Sequence, residues 1–129
     1  MKNDLMTKPT DAELEVLQIL WQFGPCTVRF INDKLGELRK VGYTTTLKIM
    51  QIMVEKGLLK RDVEHRSHLY IPALEEKETQ KALVGRLLKT AFGGSAMKLV
   101  MQALGIHKAS QEEISRIREF LDQMEGGQK

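Results

Sequence analysis

The sequence predicts a mostly α-helical chain with one small β-hairpin: three helices and the hairpin come first, and further helices follow. Three observations predict this. Cap signals and apolar residues at helical spacing recur from Thr10 to Met124. The stretch Tyr43 to Leu59 reads as a two-faced helix that stops at a glycine and runs into two short alternating segments. After residue 75 the helices carry more apolar stripe than they can bury among themselves.

Thr10-Asp11-Ala12-Glu13 is a capping box, with threonine as N-cap and glutamate three residues on. The helix it starts runs to about Phe23, with Leu14, Leu17, Leu20 and Trp21 on its buried side. Gly24-Pro25 breaks it. Thr27 caps a second helix, Val28 to Leu38, with Ile31, Leu35 and Leu38 at core spacing and Gly36 weakening its end. Arg39 to Gly42 form a short loop before the third helix.

At about 100° per residue, Thr46, Leu47, Ile49, Met50, Met53 and Val54 of the third helix share one arc. Thr44, Thr45, Lys48, Gln51 and Glu55 share the other. Ile52 lies in that polar arc, where the hairpin, a partner and a base methyl are the open alternatives. Gly57 suits a left-handed stop, and Lys56 in the last turn suits the helix dipole. The polar arc holds short donors and acceptors as well as charge. Threonine can bond a base edge or touch a thymine methyl, and lysine can reach guanine or phosphate. A half-buried helix with its polar side in water fits the pattern equally.

Leu58–Val63 and His68–Pro72 read as strands, with Leu59, Val63, Leu69 and Ile71 as their alternating apolar residues. The turn Glu64-His65-Arg66-Ser67 joins them. Three helices and a hairpin in about 65 residues is the order of a winged helix-turn-helix, whose recognition helix enters the major groove.

Beyond residue 75, Glu75 to Phe92 is helical, with Leu83, Val84, Leu87, Leu88 and Ala91 in a broad stripe. Gly93-Gly94 breaks it, and Ser95 caps a helix bearing Met97, Val100, Met101 and Leu104. Ser110-Gln111-Glu112-Glu113 is a second capping box, opening a helix whose Ile114, Ile117, Leu121 and Met124 form a seam widened by Phe120. The expected division is therefore a winged helix over 1–74 and a helical dimerisation region over 75–129. A second copy related by a two-fold axis would cover the stripe formed by Leu83, Leu87, Leu88, Met97, Val100, Leu104, Ile114, Ile117, Phe120 and Leu121. Docking on the chain's own N-terminal unit is the alternative.

The 129 residues suffice for one compact domain and an appendage, and 42% hydrophobic content is enough to fold it. Only 5% is aromatic, which argues against stacking on single strands. The net charge is +3, but Arg39 to Arg66 alone holds seven basic residues against three acids, which suits a phosphate-facing surface. No apolar segment has signal-peptide or membrane-spanning length, so the expectation is a cytoplasmic protein without direct membrane association. The lone Cys26 permits no internal disulfide and reads as a small semi-buried filler. His65 and His68 lack a cysteine or carboxylate companion, so no metal or cofactor is expected. No catalytic constellation can be assembled, and an enzyme is not expected.

Several segments together resemble the penicillinase-repressor family (BlaI, MecI and CopY types). They are Thr10 to Leu17, Trp21, Tyr43-Thr44-Thr45-Thr46, Glu55-Lys56-Gly57-Leu58-Leu59 and His68-Leu69-Tyr70, in matching order and spacing from Pro9 to about Gln123. The resemblance implies a dimeric transcriptional repressor whose winged helix reads a double-stranded inverted-repeat operator. It places DNA contacts on Tyr43, Thr44, Thr45 and Lys48, and on the wing at Arg66 with His65 and Ser67 beside it. Thr27 suits a phosphate contact through its hydroxyl or the helix N-terminal amides.

Two departures from the family stand out. The paired C-terminal cysteines of its copper-responsive members are missing here. The β-lactam-responsive members imply a membrane-bound sensor protease as a further partner. The nearest equivalent of the bond it cuts is around Val100-Met101, which lacks the phenylalanine found there in those members. The alternative from another class is a winged-helix protein-interaction scaffold that binds no DNA.

Overall fold

The computed structural model describes residues 8–64 and 68–127. Among them are six helices and one hairpin: α1 Asp11–Phe23, α2 Val28–Gly36, α3 Tyr43–Glu55, β1 Leu59–Asp62, β2 Leu69–Pro72, α4 Glu76–Thr90, α5 Ala96–Ile106 and α6 Gln111–Gly127. The chain divides into two compact units, Met1–Lys81 and Ala82–Lys129. The division falls inside α4.

The N-terminal unit is a winged helix. Its first helix starts on the capping box: the Thr10 hydroxyl accepts from the Glu13 amide, and Glu13 Oε1 accepts from the Thr10 amide at 2.9 Å. Thr27 caps α2 by accepting from Phe30 N at 3.1 Å. Helix α3 ends in a Schellman motif. Gly57 takes φ +82°, its amide donates to Val54, and the Leu58 amide donates to Met53 at 2.8 Å. Leu58, just past the glycine, is fully buried and anchors that stop.

The core joins Val16, Leu17 and Leu20 of α1 to Ile31 and Leu35 of α2, Met50 and Met53 of α3, and Leu58, Leu59 and Tyr70 of the arm. Leu14 and Trp21 are half-buried beside it, and Trp21 Nε1 donates to the Leu74 carbonyl at 2.9 Å, fastening α1 to the chain leaving the hairpin. Thr46 is fully buried and donates to Asn32 Oδ1 at 2.6 Å, a polar link between α2 and α3.

Four local expectations are corrected. Helix α2 ends at Gly36, not Leu38: the Glu37 and Leu38 amides turn back to Lys34 and Leu35 in a tightened last turn. That swings Leu38 outward, and it is 66% exposed rather than core. On the hairpin, Tyr70 is the inward side chain of β2 and Ile71 faces out, because the register pairs Arg61 with Tyr70 and Lys60 with Ile71. Val63 lies past the end of β1 and is exposed. The second capping box is only half made: Ser110 Oγ accepts from Glu113 N, but the Glu113 carboxylate lies 3.2 Å from His107 Nε2 instead.

Cys26 contributes more than filler. Its backbone exchanges two hydrogen bonds with Tyr70, at 3.2 and 2.8 Å, so the α1–α2 connection lies on the hairpin as a third, one-residue strand. Its thiol is buried, donates to the Gly24 carbonyl and is pushed above its ordinary pKa by loss of solvent.

In the C-terminal unit, Gly93 and Gly94 take positive φ, and Ser95 caps α5 by accepting from Lys98 N. The apolar stripes there stay open. Leu87, Met97, Val100, Met101, Leu104, Phe120 and Leu121 are all exposed, while Leu83, Leu88, Ile114 and Ile117 are half-buried. No helix among the described residues is long and apolar enough to cross a membrane.

Candidate nucleic-acid interface

Helix α3 is held from beneath and bare above. Thr46, Met50 and Met53 are fully buried, which fixes the rotation of the helix about its own axis. Thr44, Thr45, Lys48 and Gln51 are then left on the exposed side, as the periodicity predicts. Ile52, 38% exposed, falls on that side between the angular positions of Thr45 and Lys48. It does not enter the core. Gly42, the N-cap, offers no side-chain cap, so the first amides of α3 have no side-chain acceptor. Lys48 makes no ion pair among the described residues.

The basic excess predicted for this region is reduced by pairing. Arg39 stands 2.6 Å from Glu15 on α1, and that hydrogen-bonded carboxylate raises the guanidinium pKa further. Lys56 is the C-cap residue of α3, not a last-turn residue of the helix, and its Nζ meets both Glu13 oxygens at 2.8 and 3.0 Å. Both cations therefore bind the helix-turn-helix to α1 rather than face a ligand. Lys40, Lys48, Lys60 and Arg61 remain exposed and without an ion pair among the described residues.

Thr27 is half-buried, and its oxygen already accepts from Phe30 N, which leaves the hydroxyl proton for a second acceptor. Tyr43, 42% exposed, opens α3 and lies under Arg29 of α2, with the guanidinium carbon 5.3 Å from the ring centre. Sequence reading overlooked Arg29; its only signal was its place two residues past the Thr27 cap. The wing positions His65, Arg66 and Ser67 lie outside the described residues. Among the described residues no three His, Cys, Asp or Glu side chains are grouped to hold a metal.

A packed three-helix platform whose third helix keeps an exposed polar face, with a hairpin following it, is the arrangement of a winged helix-turn-helix. Residues 9–123 match the profile of the penicillinase repressor family. The chain belongs to the penicillinase-repressor family. Members of that family are DNA-binding transcriptional repressors. The transcriptional regulator BlaI of Mycobacterium tuberculosis is 28% identical over 126 residues, spanning 95% of this chain and 88% of that protein. The methicillin resistance regulatory protein MecI of Mammaliicoccus sciuri is 21% identical over 113 residues, spanning 88% of this chain and 92% of that one. An uncharacterised 16.5 kDa protein of Latilactobacillus sakei is 25% identical over 112 residues, 87% of this chain and 77% of its own length. The match with this repressor family runs through both units, so it covers the open C-terminal stripes as well as α3.

Proposed function

We propose that the protein is a homodimeric, sequence-specific repressor that reads an inverted-repeat operator. The observation that carries this is the bare face of α3: Thr44, Thr45 and Lys48 lie exposed, opposite a face whose Thr46, Met50 and Met53 are fully buried and fix the rotation of the helix. Threonine hydroxyls and a lysine so placed can address base edges and phosphates in a major groove. Tyr43 and Thr27 border that face and suit the flanking backbone.

Dimerisation is supported by the apolar residues left open on α4, α5 and α6, among them Leu87, Val100, Leu104, Phe120 and Leu121. A two-fold dimer would present two α3 helices to half-sites about one helical turn, 34–36 Å, apart. Bound over a promoter, such a dimer excludes polymerase.

The test is fluorescence anisotropy of the purified protein on duplex from its own upstream promoter. A shuffled duplex runs beside it, and both are followed across a salt series. The expected result is selective, salt-dependent binding with two protomers per site. Equal affinity for both duplexes would sink the operator reading for that promoter. An absence of salt-dependent duplex binding would leave the winged helix as a protein-interaction scaffold.

A further inference from the structure

Arg29 is an exposed cation on the first turn of α2, outside every motif that carried the functional reading. Its guanidinium lies over the Tyr43 ring at 5.3 Å. No carboxylate among the described residues pairs with it, including Asp33 one turn further along α2. The charge is thus held in place without being neutralised, in contrast to Arg39 and Lys56, which both close on α1 carboxylates.

No hydrogen bond from the Arg29 guanidinium to another described residue accompanies the ring contact. The five N–H donors of a guanidinium lie in its own plane, so contact with a ring leaves donors for a phosphate oxygen. An exposed cation–π contact is a weak one. It is enough to bias the rotamers of a long side chain that would otherwise wander. The same contact fixes the side from which Tyr43 is flanked at the entry to α3.

We infer that Arg29 is a further DNA-contacting residue, donating to a backbone phosphate beside the reading helix, with Tyr43 as its positioning residue. This rests on the duplex-binding reading above. It adds a contact from the second helix, which fixes the angle at which α3 enters the groove. Because the contact is to phosphate, it acts on any sequence and leaves base preference alone.

The experiment measures affinity for a random duplex of about 30 base pairs and for the promoter duplex across a salt series. Wild type is compared with Arg29→Ala, Arg29→Lys and Tyr43→Phe. Losing one phosphate contact per protomer should make the slope of log K against log salt shallower by about 0.9 per bound protomer. Arg29→Ala should show that change on both duplexes, with the ratio of the two affinities unchanged. Arg29→Lys should restore the slope but bind more weakly, since an ammonium cannot both stack and present a fork. On a Tyr43→Phe background, which keeps the ring but not the hydroxyl, Arg29→Ala should make the slope shallower by the same amount as it does on wild type. An Arg29→Ala protein with its thermal midpoint and its salt slope both at wild-type values would overturn the inference while leaving the repressor reading standing. If Arg29→Ala lowers the midpoint, a slope for Arg29→Lys as shallow as that of Arg29→Ala overturns the inference equally. A wild type without salt-dependent binding overturns both.

Discussion

Removing Lys56 should unsettle the winged helix more than removing the charge of its partner. Glu13 is 5% exposed, and its carboxylate receives Lys56 Nζ on both oxygens and the Thr10 amide on one. Lys56→Met keeps most of the stem's packing but leaves a buried anion with a single donor. Breaking a buried pair from one side costs about 3–5 kcal/mol, whereas an exposed pair is worth about 0–1. Glu13 sits at the buried limit, the Lys56 side chain is 29% exposed and the Thr10 bond survives, which places the cost at about 2–3 kcal/mol. Glu13→Gln keeps an oxygen for Thr10 and frees a lysine that can turn to water, costing about 1 kcal/mol. Urea titration followed by Trp21 fluorescence isolates the right unit, since this is the chain's one tryptophan and it lies on α1. For a unit of this size the larger loss lowers the thermal midpoint by roughly 10–20 °C. A Lys56→Met protein that loses less than about 1 kcal/mol, or less than Glu13→Gln does, would refute the reasoning, because the carboxylate would then not depend on its cation.

The remaining predictions concern the proposed reading face, the proposed dimer and the thiol. Thr45→Ala should relax discrimination at one base position by about 1–3 kcal/mol, while Lys48→Ala, if it meets phosphate, weakens binding on all duplexes alike. Affinities on single-base-changed duplexes separate the two, and a uniform loss for Thr45→Ala would reassign it to the backbone. Leu121→Asp should halve the mass seen in analytical ultracentrifugation and abolish operator binding; an unchanged dimer mass would exclude Leu121 from the interface. Cys26 should alkylate with iodoacetamide at least about tenfold more slowly in the native protein than in urea at the same mildly alkaline pH, since burial both hides the thiol and raises its pKa. A native rate equal to the unfolded one would show that the α1–α2 connection opens from the hairpin on the labelling timescale.

Much of the N-terminal unit was legible because its signals are local. The Thr10 box, the Thr27 cap and the Gly57 stop each lie within a few residues of the element they define, and the periodicity of α3 separated Thr46 and Met50 from Thr44 and Lys48. What failed depended on partners distant in sequence. Tyr70 faces inward because its backbone is pinned between Arg61 and Cys26, 44 residues upstream, and no alternation rule on β2 alone contains that constraint. Leu38 sat at core spacing, yet the helix that would have carried it inward tightened and ended at Gly36.

The same distinction decides how charge should be read in this fold. A count between Arg39 and Arg66 treats every cation as available to phosphate. The structure removes Arg39 and Lys56 from that pool, each held by a carboxylate on α1 that no local window reveals. It also adds Arg29, which lies outside the counted window and is held by a ring rather than by an opposite charge. The distinction is physical: a cation closed on a carboxylate must break that contact before it can bind phosphate, whereas one held by an aromatic face arrives with its charge intact. On that argument the set of cations open to phosphate loses Arg39 and Lys56, keeps Lys40, Lys48, Lys60 and Arg61, and gains Arg29 beside Tyr43.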